Sequence, residues 1–276
     1  MNKKTKEVLI CICIALVYIM LFKLLGFVAG LFFPEAEGDP NGNIYFGQLI
    51  GEIFGIVLGV ITTFIFGKTW IFRERGKGVL PAFAAGGYLV FTIIATFAAY
   101  IATEFDASKL RPVSHIITYA ICMILVGAAE EIVFRGVIQN KLMEAFGRDT
   151  HKGLLTAVIT SGLIFALIHI TNVFTGVSLR GAVIQALGVI GTGSMFGAIY
   201  ARCNNLWAMI LLHGLVDFAA LAATGLQYDS GDLASKLSGT DPMALVGSAI
   251  GVAITIFLLR RSKVEYTGEI ATAEQK

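Results

Sequence analysis

Residues 115–138 read HIITYAICMILVGAAEEIVFRGVI, an apolar run interrupted by Glu130, Glu131 and Arg135. About 20 apolar residues carry a helix across the hydrocarbon core of a bilayer, so the run reads as a membrane span. A carboxylate buried in such a span costs several kcal/mol unless a partner or bound water compensates it. Two adjacent carboxylates are not accounted for by packing. Glu130 and Glu131 therefore mark the expected centre of the chemistry.

The rest of the chain has the same character. Its 276 residues are 14% charged, against about a quarter in soluble domains, and the mean hydropathy is +0.78. The expected fold class is all-α, a polytopic membrane protein with a bundle of about eight transmembrane helices in a single membrane domain over 1–276. The apolar runs lie at roughly 8–33, 47–67, 79–102, 114–137, 154–173, 181–201, 205–226 and 243–259. Nucleic-acid binding is not expected, because the basic residues sit at span ends rather than among aromatics. Cys11, Cys13, Cys122 and Cys203 all fall in or beside apolar runs without a CxxC pair and read as small apolar residues. Gly51, Gly55 and Gly59 recur every fourth residue, a spacing that permits close helix packing.

Charge sets the expected orientation. Lys3, Lys4, Lys6, Lys68, Arg73, Arg75, Lys77, Arg135, Lys141, Arg148, Lys152, Arg202, Arg260, Arg261 and Lys263 fall on one side. Glu35, Glu37, Asp39, Glu104, Asp106, Asp229, Asp232 and Asp241 fall on the other, with only Lys109, Arg111, Arg180 and Lys236 basic there. The positive-inside rule makes the first side cytoplasmic, with both termini inside and an even number of spans. The first apolar run is too long for a secretory h-region, so it is expected to remain as an uncleaved span.

The intramembrane polar residues are then Lys23, Glu52, Glu130, Glu131, His169, His213 and Asp217. Lys23 is expected to snorkel or meet a backbone carbonyl, and Glu52, near the outer end of its span, to be interfacial. His115 and His151 are expected to be solvated. Glu131 and Arg135 share a helix face at i,i+4 and can pair. Glu130, rotated about 100° away, is left without a local cation. His213 and Asp217 are also four apart, which lets a carboxylate accept from a ring N–H and fix the imidazole. Phe165 and His169 share the same spacing. Glu130 and His169 lie nearly equidistant from the turn at Arg148–Lys152, so antiparallel packing brings them level. His213 is about eight residues from its own turn, roughly 12 Å. It joins them if the polar stretch Gln139–Gly153 projects into the cytoplasm.

A desolvated carboxylate beside an imidazole can hold and deprotonate a water, and a second imidazole can donate to the oxyanion formed at a carbonyl. Glu130, His169 and His213 suit those roles. No GxSxG or HExxH motif is present. Two histidines with carboxylates also make a zinc ligand set, drawn from Glu130, His169, His213 and Asp217.

The segments EEIVFR (130–135), FALIH (165–169) and HGLVD (213–217) match EExxxR, FxxxH and Hxxx(N/D) in order. This trio resembles the CPBP family, which includes the type II CAAX prenyl proteases and the bacteriocin-processing and immunity proteases. The resemblance covers about 130–217. It implies an eight-helix intramembrane endopeptidase in which Glu130 and His169 activate water and His213 and residue 217 stabilise the oxyanion. It leaves the metal open, since the family has been described both as metalloproteases and as metal-independent glutamate proteases. Residue 217 is Asp where the prenyl proteases have Asn. An ionised Asp donates no hydrogen bond and repels an oxyanion, so Asp217 is expected to orient His213, to bind metal or to sit protonated. A CAAX substrate does not follow from the trio alone.

The expected protein is a multi-pass endopeptidase of a bacterial cell membrane, acting on a peptide or protein substrate near the cytoplasmic face of the lipid bilayer. The catalytic helix core is 114–226, with flanking helices and tails at 1–113 and 243–276. Catalysis falls to Glu130, His169, His213 and Asp217, supported by Glu131, Arg135 and Phe165. Peptide processing or bacteriocin self-immunity is the expected biological setting. The rival classes are a proton-coupled transporter, which would relay protons through the same groups but usually shows an inverted repeat, and a non-catalytic immunity or scaffold protein.

Overall fold

The computed structural model describes residues 2–32, 43–228, 230–231, 233–239 and 241–264. Glu35, Glu37, Asp39, Asp229 and Asp232, which contribute to the acidic side of the charge pattern, lie outside the described residues. The described chain is all-α. Its helices are α1 (Lys3–Phe32), α2 (Phe46–Ile65), α3 (Val79–Ala85), α4 (Gly87–Thr103), α5 (Val113–Glu131), α6 (Asn140–Phe146), α7 (His151–His169), α8 (Leu179–Cys203), α9 (Leu206–Ala220), α10 (Ala222–Leu226), α11 (Leu233–Ser238) and α12 (Ala244–Leu258).

Every expected apolar run contains a helix. Among the described residues five helical stretches are long and apolar enough to cross a bilayer, or six if α3 and α4, bent by 79°, form one broken span. α9 and α12 are apolar but shorter. The molecule is a polytopic membrane protein. Phe27, Phe64, Ile65 and Phe91 stand exposed along the helices, as expected of side chains whose solvent is lipid tail rather than water.

The glycine spacing in α2 acts where the neighbours are closest. A methyl group built on Gly55 would lie 2.7 Å from the Phe22 ring and 3.1 Å from Ala129 Cβ, and one on Gly59 would lie 3.1 Å from Ile132. α2 thus packs tightly on α1 and on the α5 region that carries the paired carboxylates.

Between α5 and α6 the helix widens into a π-helix over Ile132–Gln139, wholly buried. The widened turn frees backbone carbonyls, and Asn140 Nδ2 donates to two of them, Arg135 O and Gly136 O, each at 3.0 Å. π-Helical turns of this kind cluster at functional sites. The continuous helix from Val113 to Phe146 has 34 residues, about 51 Å at 1.5 Å per residue, so it extends past a hydrocarbon core of ~30 Å. Within the polar stretch Gln139–Gly153, Glu144, Arg148 and Asp149 are exposed. Gln139 and Asn140 are buried against α8, where Gln139 Nε2 donates to Gly197 O and Asn140 Nδ2 approaches the Tyr200 hydroxyl.

Candidate active site

Close approach of α5 and α9 builds the site. Gly127 and Gly214 face across this contact. A Cβ on Gly127 would fall 2.6 Å from Ile210 O and 3.0 Å from Gly214 N, and one on Gly214 would fall 2.7 Å from Ile124 Cδ1. With no side chain at either position, the two backbones come near enough for Glu130 and Glu131 to reach His213.

His213 is held from both sides of its ring. Nδ1 lies 2.8 Å from Glu131 Oε1, and since a carboxylate only accepts, Nδ1 carries the proton. Nε2 faces two further carboxylates, Asp217 Oδ2 at 3.5 Å and Glu130 Oε2 at 3.6 Å. The i,i+4 spacing of His213 and Asp217 does bring them near each other, but the short bond that fixes the ring comes from Glu131. Phe196 stacks on the ring at 4.8 Å between centroids.

Glu131 has a second partner. Its Oε2 lies 3.2 Å from Arg135 Nε, the ion pair that the i,i+4 spacing predicts, with both side chains fully buried. Arg135 Nη2 donates to Gly193 O at 3.3 Å, and the guanidinium lies 4.7 Å from the Phe165 ring and 5.6 Å from the Phe196 ring. Aromatic faces on a buried guanidinium provide the cation–π attraction that compensates part of its lost hydration.

His169, the last residue of α7, places Nδ1 2.8 Å from Phe165 O, one turn back. A carbonyl oxygen accepts only, so Nδ1 carries the proton and Nε2 is left as an acceptor. Phe165 packs edge-on to His169 at 4.9 Å and to His213 at 6.0 Å, so it separates and orients both rings. The structure therefore brings Glu130, Glu131, Arg135, His213 and Asp217 into one contact network. It does not put His169 in direct contact with Glu130. His169 joins through Phe165.

The expected zinc set meets a geometric obstacle. Among the described residues no three His, Cys, Asp or Glu side chains converge to hold a metal ion. The Nδ1 atoms of both rings are engaged by Glu131 Oε1 and Phe165 O, so a metal would have only the two Nε2 atoms to take from these rings. The donors as placed do not fit that site.

Several neighbours were not expected from sequence. Glu52 is buried rather than interfacial, with 6% of its surface exposed. It shares a helix face with Gly55 and Gly59, whose spacing already marks the packed side of α2. Tyr18, on α1, donates its hydroxyl to Ala129 O at 2.8 Å, one residue before Glu130. Lys23 donates to the side-chain oxygen of Asn172 at 3.3 Å rather than to a backbone carbonyl, and Asn172 Nδ2 passes the contact on to Gln185 at 3.0 Å. The stretch after His169, whose path the sequence does not specify, continues as a 3-10 helix over Ile170–Thr175. It turns at Gly176 (φ +89°) into the Ser178 cap of α8.

An apolar groove of about 780 Å³ lies between α2, α5 and α9, lined by Ile56, Val60, Ile124, Ala128, Trp207 and Ile210 among others. None of the site carboxylates or histidines lines it.

Residues 112–219 match a family model described as Rce1-like, type II CAAX prenyl endopeptidase Rce1-like. No curated protein and no solved structure matches the chain.

Proposed function

With residues 112–219 carrying a domain of the Rce1-like type II CAAX prenyl endopeptidase family, we propose that this multi-pass membrane protein hydrolyses a peptide bond of a membrane-associated peptide or protein near the cytoplasmic face. The observation that carries the reading is His213. Its Nδ1 is fixed by Glu131 at 2.8 Å, while its Nε2 faces Glu130 and Asp217 at 3.6 and 3.5 Å. Glu130 and Asp217 are partly accessible and Glu131 is not, so the anchor is buried and the reactive side is open.

In this reading Glu130 removes a proton from a water that also donates to His169 Nε2, and the hydroxide formed attacks the scissile carbonyl. His213 acts here as the imidazolium, protonated at both ring nitrogens, and its Nε2–H donates to the oxyanion as charge develops on the carbonyl oxygen. Glu130 returns its proton to the departing amine, which closes the cycle. Asp217 supports the His213 ring, and Glu131 with Arg135 forms the frame that keeps Nδ1 in place. The catalytic core is the segment 114–226, flanked by 1–113 and 243–276.

The substrate is proposed to be a processed peptide or membrane protein, bacteriocin self-immunity included, in a bacterial cell membrane with both termini cytoplasmic. The test is hydrolysis by the purified protein in proteoliposomes, with substrates found by comparing membrane and secreted peptides of cells that carry the wild type or Glu130→Gln. Cleavage by the wild type and none by Glu130→Gln is expected. Full activity of Glu130→Gln would remove Glu130 from the chemistry.

A further inference from the structure

A second charged site lies away from the carboxylate cluster. A cavity of about 380 Å³ is lined by Lys77, Arg148, Arg202 and Lys263, with Asp149 as the one acid. These residues come from four separate places: the loop before α3, the α6–α7 turn, the end of α8 and the chain after α12. Among the described residues no carboxylate lies within ion-pairing distance of any of the four cations. Arg202 Nε is buried without a hydrogen-bond partner. Glu74, on the same loop as Lys77, is engaged by Asn204 Nδ2 and does not line the cavity. Four cations against the single carboxylate of Asp149 leave a surplus of positive charge around the cavity, which favours an anion there.

The backbone beneath Lys77 and Arg148 is fixed by local contacts. Lys77 N–H donates to Cys203 O at 2.9 Å. This contact is possible because Gly76, at φ +45°, has no side chain to strike the Cys203 carbonyl. Arg148 stands on a tight turn between Gly147, at φ +93°, and Thr150, whose Oγ1 accepts from Gly153 N at 3.1 Å. The backbone that carries Lys77 and Arg148 is therefore set before binding, while the side chains of Lys77, Arg148 and Lys263 are exposed.

We propose that this cavity is a binding site for a phosphate group. Two guanidinium forks match phosphate oxygens bidentately, and two lysines add point charge. The space also allows several waters, at about 30 Å³ each. The residues sit at the polar ends of membrane helices, where the headgroup of an anionic lipid or a free phosphate could supply the anion. The site is independent of the peptidase reading, because none of its residues belongs to the Glu130 cluster.

The test uses the purified full-length protein. In one arm, nanodiscs of phosphatidylcholine with or without phosphatidylglycerol report retained lipid by native mass spectrometry. In the other, inorganic phosphate is titrated into detergent-solubilised protein by calorimetry. Arg148→Gln, Arg202→Gln and Lys263→Gln are compared with Lys236→Gln, which alters a basic residue outside the cavity. Lys263→Gln, near the end of the described chain, keeps the test open should an arginine variant fail to fold.

A drop of about tenfold or more in phosphatidylglycerol retention for the cavity variants, with Lys236→Gln unaffected, supports a lipid headgroup. The same drop with phosphate alone supports a free phosphate. Equal behaviour of wild type and cavity variants in both arms, or no binding in either, overturns the proposal.

Discussion

Glu130 and Glu131 are neighbours in the chain and opposites in setting. Glu131 is fully buried, bonded to His213 on one oxygen and facing Arg135 with the other. Glu130 keeps 24% of its side chain accessible, and its nearest charged partner is a ring nitrogen at 3.6 Å. One turn of helix thus supplies both a fixed carboxylate and an available one. The comparison teaches that chemical identity and adjacency do not set a role here; the number of partners does.

The comparison is most severely tested at the buried member. Glu131→Gln leaves the guanidinium of Arg135 in a protein interior without its counter-charge, and breaking a buried pair in this way costs about 3–5 kcal/mol. Thermal unfolding in detergent is expected to show that loss, accompanied by loss of peptidase activity. The double variant Glu131→Gln/Arg135→Met, which removes both charges, is expected to regain much of the stability but not the activity. A double variant no more stable than the single one would mean that the ion pair is not what holds this region.

At the accessible member the outcome reverses. Glu130→Gln is expected to lower activity by about 10²–10⁴, the usual worth of a general base, while stability changes by about 1 kcal/mol or less. A matching loss of stability would place Glu130 in the frame beside its neighbour and erase the contrast.

The contrast was partly legible in the sequence. The i,i+4 pairs Glu131–Arg135 and His213–Asp217 followed from helical geometry alone, because spacing fixes which residues share a face. The 100° offset of Glu130 followed in the same way. The Glu131–His213 bond did not, since it depends on two helices meeting at Gly127 and Gly214, and a single sequence does not say which glycines face each other. The π-helix was equally hidden, because a lone Gly136 within Ile132–Gln139 does not specify that the helix widens there. Buried Glu52 was readable in principle, since it shares the face of Gly55 and Gly59; its position near the span end pointed the other way. Among the described residues five or six helices have the length and apolarity of a span, while α9 and α12, of 15 residues each, are apolar but shorter.

The support around the contrast has a smaller expected effect. Tyr18 donates to Ala129 O at 2.8 Å and lies 3.2 Å from Gly55 O, tying α1 and α2 to the backbone just before the two glutamates. Tyr18→Phe removes that bond and leaves a buried carbonyl less well satisfied, at about 1 kcal/mol. Thermal unfolding checks the size, and a shift of several kcal/mol would show that Tyr18 carries more than this bond.

Asp217 gives the finest test, because it lies near the same nitrogen as Glu130 and is just as accessible. If the His213 ring depended on Asp217 for its position, Asp217→Asn would cost as much as losing Glu130. The 2.8 Å bond from Nδ1 to Glu131 argues otherwise, since it fixes the ring without Asp217. Asn is nearly isosteric, keeps an oxygen that can accept from Nε2–H, and adds an N–H that can donate to an oxyanion. Peptidase activity of Asp217→Asn is therefore expected to stay within about threefold of wild type, or ~0.7 kcal/mol in the barrier. Initial rates in proteoliposomes measure it. A fall of a hundredfold or more would make the charge at position 217 part of the reaction and move Asp217 to the same side of the comparison as Glu130.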